Sequence, residues 1–164
     1  MITPPYWIDT PAAGRIATMP CPRGGDWLAD ELAALHRLGA ETLVGLLTPA
    51  EQVELELRAE ESFAVAAGLH FVAFPIPDFS VPPLNRFTLN CINDLAVAAQ
   101  SGRQIVIHCR AGIGRSSLIA AAVLTLLGLT PAQAFERITT ARGRPVPDTV
   151  EQRHWVEQFA SLAP

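Results

Sequence analysis

The chain has 164 residues, 49% of them hydrophobic, with 12 Lys+Arg against 16 Asp+Glu and a formal net charge of −4. That is enough apolar matter for one domain with one sizeable core, and the acidic balance excludes the broad basic field that a nucleic acid or an anionic membrane surface needs. All 12 basic residues are arginine, which rules out Schiff-base lysine chemistry and a Walker-type loop but leaves bidentate recognition of phosphate well supplied.

Along the chain, "GRIATMP" reads as a short strand over 14–20. "DWLADELAALHRLGA" follows as an amphipathic helix, with Asp26 as its cap and Gly39 as its stop. "ETLVGLL" is a buried strand. At its end Thr48 can cap a helix, with Pro49 in the first position and Glu51 closing a capping box, and this helix is predicted to run to about Gly68. "LHFVAFPI" is another short apolar strand, closed by the proline-broken loop "PIPDFSVPP". A helix from about Leu84 to Gln100 comes next, with Phe87, Cys91, Leu95 and Ala98 on one predicted core face.

The strand "RQIVIHC" then leads into "RAGIGRSS" and an apolar helix from about Gly114 to Leu127. "TPAQAFERITTAR" and "TVEQRHWVEQFA" supply two closing helices. Short strands, apolar on both faces and alternating with helices, predict a single α/β domain: a short, mostly parallel central sheet flanked by helices. Ligands in such sheets lie beyond the carboxyl ends of the strands, and Cys109 sits at such an end.

The cysteines, Cys21, Cys91 and Cys109, form no C-x-x-C pair, so neither a zinc site nor a disulfide framework is expected. The four histidines have no ligand spacing, and no metal or cofactor is implied. The opening "MITPPYWIDT" lacks the basic and apolar regions of a signal peptide. The apolar run from Leu118 to Leu129 is shorter than the roughly 20 helical residues that span a bilayer. A monomer in a reducing cytoplasm is the expectation.

The turn after Cys109 carries the chemistry. A C-x5-R spacing alone is weak; its context is not. A strand leads in, Gly112 and Gly114 lie inside, and Arg115 and Ser116 open a helix. Glycines let successive N–H groups point inward and the helix end adds partial positive charge, which makes an anion nest from Arg110, Ala111, Gly112, Ile113, Gly114 and Arg115. The same groups would stabilise a thiolate at Cys109, placed for in-line attack on phosphorus while Arg115 clamps the oxygens.

His108-Cys109-Arg110-Ala111-Gly112-Ile113-Gly114-Arg115-Ser116 resembles the signature loop of cysteine-dependent protein tyrosine phosphatases. The short chain is similar to the compact dual-specificity branch, with a weaker likeness over residues 14 to 160. The resemblance implies Cys109 as nucleophile, His108 orienting the loop, and Ser116 placing a hydroxyl near the sulfur. It also implies a general acid on a separate loop, for which Asp78 in "PIPDFSVPP" is the candidate and Asp94, in mid-helix, the lesser rival. Gln152 is either the second half of a Thr149-x-x-Gln152 capping box or the residue that positions the hydrolytic water.

Arg110, Arg137, Arg142 and Arg144 are expected as a basic rim, with Arg142 and Arg144 equally readable as a solvated turn. Cys91 is read as core, or less readily as a resolving thiol. The implied substrate is a phosphorylated protein bearing phosphotyrosine, with phosphoserine and phosphothreonine open. Three other readings stand beside it: a phosphoinositide or small-molecule phosphatase on this fold, a rhodanese-type sulfurtransferase, and a non-catalytic phosphopeptide-binding module.

Overall fold

The computed structural model describes residues 1–162. Its centre is a five-stranded sheet in the order β1-β2-β5-β3-β4, built from β1 (Tyr6–Ile8), β2 (Arg15–Pro20), β3 (Thr42–Gly45), β4 (His70–Ala73) and β5 (Gln104–Cys109). β2, β5, β3 and β4 run parallel; β1 is antiparallel to β2. The predicted mostly parallel sheet is therefore the observed one. The β1 edge was not foreseen because "YWI" is three residues among prolines, too short to show a period.

Both faces of the sheet are covered, and alternation along the strands decides which residue faces which layer. Ile16, Val44, Ile105 and Ile107 point into one core with α4 (Arg86–Gln100), α5 (Arg115–Leu126), α6 (Pro131–Arg142) and α7 (Val150–Leu162). Ala17, Met19, Leu43 and Val106 point to the other, under α1 (Leu28–Arg37) and α3 (Glu60–Ala66). α5 is buried on every side from Arg115 to Leu124 and packs against α4, α6 and α7. Truncating a residue such as Leu118 or Ile119 there would cost about 2–5 kcal/mol.

Four local expectations change. Asp26 does not cap α1: it lies in a 3-10 turn, Gly25–Trp27, and Trp27 occupies the cap without a side-chain bond. The helix predicted from Thr48 to Gly68 is two, α2 (Pro49–Glu54) and α3, because Glu56 turns to φ 56 between them. That turn seats Leu57 in the core at 0% exposure, and Gly25 N–H bonds back to Glu56 O at 3.0 Å. Tertiary contacts here override a sequence without glycine or proline. α4 starts after Asn85, whose side chain accepts the Thr88 N–H, rather than at Leu84. Its buried stripe is Thr88, Ile92, Leu95, Ala96 and Ala99. Phe87 is exposed and stacks on Phe74 with centroids 5.7 Å apart.

The Thr48 capping box is as predicted: Thr48 accepts from Glu51 N–H at 3.3 Å, and Glu51 Oε2 accepts from Thr48 N–H at 3.0 Å. Among the described residues, no helix is long and apolar enough to cross a membrane.

Candidate active site

The carboxyl ends of β2, β5 and β3 lie side by side, with Pro20 opposite Cys109 and Gly45 opposite His108. β5 ends at Cys109 and α5 begins at Arg115, so the loop 110–114 turns sharply between a buried strand and a buried helix. Gly112 makes the turn possible. It sits at φ +70, and a Cβ there would lie 2.5 Å from the backbone of Met19 and Pro20. Arg142, at the end of α6, supports the loop from outside: Nε donates to Gly112 O at 3.1 Å and Nη2 to Ala111 O at 3.2 Å. Those carbonyls point away from the nest, which leaves the N–H edge of the loop for an anion.

Cys109 is 3% exposed, and its thiol donates to Ser116 Oγ at 3.3 Å. Ser116 stands in the first turn of α5, so the hydroxyl and the helix end face the same sulfur. Behind the strand, His108 Nε2 lies 2.6 Å from Glu60 Oε1 with both side chains buried. The angles fall short of a hydrogen bond, and the two side chains are simply in close contact. Glu60 comes from α3, which ties the His108 ring to the opposite layer.

Arg115 is held more firmly than the sequence shows. Its Nη1 donates to Glu51 Oε2 at 2.8 Å, its Nη2 to Glu51 Oε1 at 2.8 Å, and Nη1 also to Ile76 O at 2.8 Å. Nη2 further lies 3.0 Å from Asp78 Oδ1. The guanidinium is 1% exposed, and its Nε has no partner among the described residues. Burial works to raise the Glu51 carboxyl, but the Arg115 and Thr48 bonds hold it below the ordinary glutamate range. Glu51 therefore caps α2 and orients Arg115 with one carboxylate. The sequence showed only the cap, since nothing local links Glu51 to a residue 64 positions away.

The structure brings Cys109, Ser116, Arg115 and Asp78 to one place. Asp94 lies instead on α4 beside Cys91 and Leu95. Gln152 is 0% exposed, and its Nε2 lies 3.0 Å from where a Cβ on Gly114 would stand. Its Oε1 accepts the Asp148 and Thr149 N–H groups at 3.1 and 3.2 Å, and its Nε2 donates to Ser80 O, on the Asp78 loop, at 3.4 Å. Thr149 Oγ1 accepts the Gln152 N–H at 3.1 Å, so the capping box is formed as well. Beside it, a Cβ on Gly114 would lie 2.2 Å from Asp148 Oδ2, so the missing side chain of Gly114 admits the Asp148 carboxylate against the loop.

The predicted rim is thinner than expected. Arg110 pairs with Glu54 at 2.7 Å on the surface, and Arg144 acts on Asp148. Arg142 binds loop carbonyls, and Arg137 leaves the rim altogether to meet Asp9 at 3.7 Å. Arg137 and Asp9 border a surface hollow of about 480 Å³ that none of the loop residues line. Cys91 sits beside Thr42, which is level with Ile105 on β5. Four residues at roughly 3.3 Å each separate that level from Cys109, too far for a disulfide. Cys21, following Pro20, is the nearer thiol, and its N–H donates to Arg110 O at 3.2 Å. Burial, Glu60 and Cys109 together push the Cys21 thiol up to about 11.

The model of the family Tc-R-P, "Polymorphic toxin system, DSP-PTPase phosphatase", matches residues 17–128. Rat cyclin-dependent kinase inhibitor 3 is 32% identical over 87 residues, which cover 52% of this chain and 41% of that protein. The chain thus spans well under half the length of that relative. The crystal structure of kinase associated phosphatase, with its catalytic site cysteine substituted by serine, superposes with a TM-score of 0.85 at 19% identity, covering 98% of this chain and 94% of that one. Tk-PTP in its active form gives 0.75 at 23% identity, covering 97% of each. The chain belongs to the Tc-R-P family of DSP-PTPase phosphatases, within the compact dual-specificity branch of the cysteine-dependent protein tyrosine phosphatases.

Proposed function

We propose that the chain hydrolyses phosphomonoesters on proteins through a phosphocysteine intermediate, with phosphotyrosine as substrate and phosphoserine or phosphothreonine where the pocket admits them. The observation that carries this reading is Arg115: a guanidinium 1% exposed, locked on two oxygens of Glu51, beside the Cys109–Ser116 pair at the start of α5. With Nη1 spent on Glu51 and Ile76 and one Nη2 proton on Glu51, the remaining edge of the fixed guanidinium, its unpartnered Nε and Nη2, fits two non-bridging oxygens of a phosphoryl group.

Cys109, as the thiolate, attacks phosphorus in line. The loop N–H groups of 110–115 and Arg115 take up the charge that develops on the equatorial oxygens. Asp78 protonates the departing ester oxygen, and the phosphoryl group stays on sulfur. Water then attacks phosphorus from the face the ester oxygen left and gives a proton to the Asp78 carboxylate, the S–P bond breaks, and the Ser116 hydroxyl donates to the thiolate as it leaves. His108, pinned by Glu60 at 2.6 Å, holds the strand end that aims Cys109.

The test is a set of initial rates on phosphotyrosine and phosphothreonine peptides, a phosphoinositide and a nucleotide, with Cys109→Ser as the blank. Cys109→Ser should lose all turnover and keep peptide binding. Sulfur transfer from thiosulfate to cyanide outrunning phosphate release would overturn the reading in favour of a sulfurtransferase. Binding of a phosphotyrosine peptide with no hydrolysis between about pH 5 and 7 would make the chain a recognition module.

A further inference from the structure

We propose that Glu54 is a specificity-determining residue: its pairing with Arg110 masks the positive side chain of the phosphate loop, so the site favours phosphoresidues with neutral or basic neighbours over those flanked by acidic ones. The proposal rests on the phosphatase reading above and narrows its substrate to one class of protein sequence.

The loop between Cys109 and Arg115 reads Arg-Ala-Gly-Ile-Gly, so Arg110 is its single charged side chain. The backbone of Arg110 is fixed beside the nucleophile, because its carbonyl accepts the Cys21 N–H at 3.2 Å. With its side chain 41% exposed, Arg110 is the loop charge open to an acidic group that enters beside the phosphate. A partner already holds it. Nη1 donates to Glu54 Oε2 at 3.2 Å and Nη2 to Glu54 Oε1 at 2.7 Å, a two-pronged contact that uses both carboxylate oxygens. The Arg110 bond keeps the Glu54 carboxyl below the ordinary glutamate range, so the mask carries its negative charge at neutral pH.

α2 makes this arrangement. Glu51 and Glu54 stand three positions apart, on one helix face. Glu51 is buried and reaches Arg115 with two bonds of 2.8 Å, whereas the Glu54 side chain is 59% exposed. One short helix thus supplies a carboxylate to each arginine that bounds the loop. The buried pair fixes Arg115 in place; the exposed pair is open to exchange with solvent and substrate.

The surrounding charges do not restore a basic mouth. Asp78 lies 3.0 Å from Arg115 Nη2, and Asp148 Oδ2 lies against Gly114. Glu51 and Asp78 also act on Arg110. Arg142 is turned onto the carbonyls of Gly112 and Ala111. An acidic neighbour of the phosphoresidue therefore meets carboxylates and must displace Glu54 to reach Arg110. A basic neighbour meets an exposed carboxylate of opposite sign. Charge matching of this kind selects among partners more than it adds affinity.

The test compares kcat/KM on phosphotyrosine peptides that differ only in flanking Glu, Gln or Arg, at low ionic strength, where exposed charges are least screened. The wild-type protein should turn over the Glu peptide about threefold less efficiently than the Gln peptide, and the Arg peptide at least as well as the Gln peptide. Glu54→Gln should raise the Glu-to-Gln ratio by about three- to fivefold, the size that exposed charge pairs reach, and leave p-nitrophenyl phosphate turnover within about twofold. Glu54→Ala should give the same shift. Adding Arg110→Gln to Glu54→Gln should bring the ratio back down; a ratio taken within one variant cancels any change in the nest itself. A ratio unmoved by both Glu54 variants would overturn the proposal, as would a ratio that stays high without Arg110. A wild-type preference for the Glu peptide, or for a phosphoinositide bearing adjacent phosphates, would overturn it too. A wild-type protein that hydrolyses neither the peptides nor p-nitrophenyl phosphate would overturn the phosphatase reading itself.

Discussion

Asp78 Oδ1 rests 3.0 Å from Arg115 Nη2, so the group that would protonate the leaving oxygen is paired with the group that would bind the phosphate. The pair is lopsided: Arg115 is 1% exposed and Asp78 41%. On the phosphatase reading, a phosphoryl group arriving at Arg115 would compete for the same Nη2 and would free Asp78 for the ester oxygen. Asp78→Asn keeps the shape and loses the proton. We expect a loss of about 10²-fold or more on an alkyl or phenyl phosphate and under about tenfold on p-nitrophenyl phosphate, whose leaving group needs little protonation. Equal losses on the two would remove Asp78 as the acid.

Glu51 compensates the buried charge of Arg115 through two bonds of 2.8 Å. Glu51→Gln can preserve the cap on α2 but leaves that guanidinium with Asp78 as its counter-ion. Removing one partner of a buried pair typically costs 3–5 kcal/mol, and the remaining Asp78 contact sets the expectation near the lower end, about 3 kcal/mol. Urea unfolding should show the loss as a lower midpoint at unchanged slope. Inorganic phosphate should also inhibit the variant more weakly, because Arg115 is no longer held in position.

Acid should destabilise the fold through two named carboxylates. Burial works to raise both, yet the Thr3 and Arg23 bonds at Glu31, and the Arg115 and Thr48 bonds at Glu51, leave both below the ordinary range. The unfolded chain therefore binds more protons in the interval between the lowered values and about 4.3. Stability is fully present above that interval and is lost as pH falls through it. Urea midpoints between about pH 3 and 6 should fall only on the acid side, and Glu31→Gln should flatten part of the slope.

The loop was legible in the sequence because its chemistry is contiguous: strand, Cys109, two glycines, Arg115 and helix occur within one short run. Asp78 was legible because prolines frame it after a buried strand. Glu51 and Asp148 were not. Glu51 already satisfied a local rule as the end of a capping box, and only the folded chain brings it to Arg115. Asp148 sits in "RPVPDT", a stretch that reads as a turn; its place against the loop comes from the missing side chain of Gly114, 34 positions earlier, and from the Gln152 amide. The break at Glu56 was hidden for the same reason. The core position of Leu57 decides it, and no local propensity does.

Arg142 supplies the last prediction. Its guanidinium donates to the carbonyls of Gly112 and Ala111 and lies over the Tyr6 ring at 4.3 Å, so the end of α6 and the β1 edge jointly brace the nest. Because those carbonyls are held by Arg142, the loop N–H groups are free to point inward; on the phosphatase reading the arginine would act on phosphate through the backbone. Arg142→Ala should cost about 1–2 kcal/mol of stability, since each charged hydrogen bond here is partly solvated. It should lower kcat/KM by about tenfold, or 1.4 kcal/mol of transition-state binding. The decisive readout is uniformity. A brace loosens the nest for every substrate, so inhibition by inorganic phosphate and turnover of neutral and acidic phosphopeptides should weaken by the same factor. A rim charge that met the substrate directly would instead penalise acidic peptides most. Arg142→Lys should rescue little, because a single ammonium cannot reproduce the two-pronged contact with adjacent carbonyls or the stacking on Tyr6.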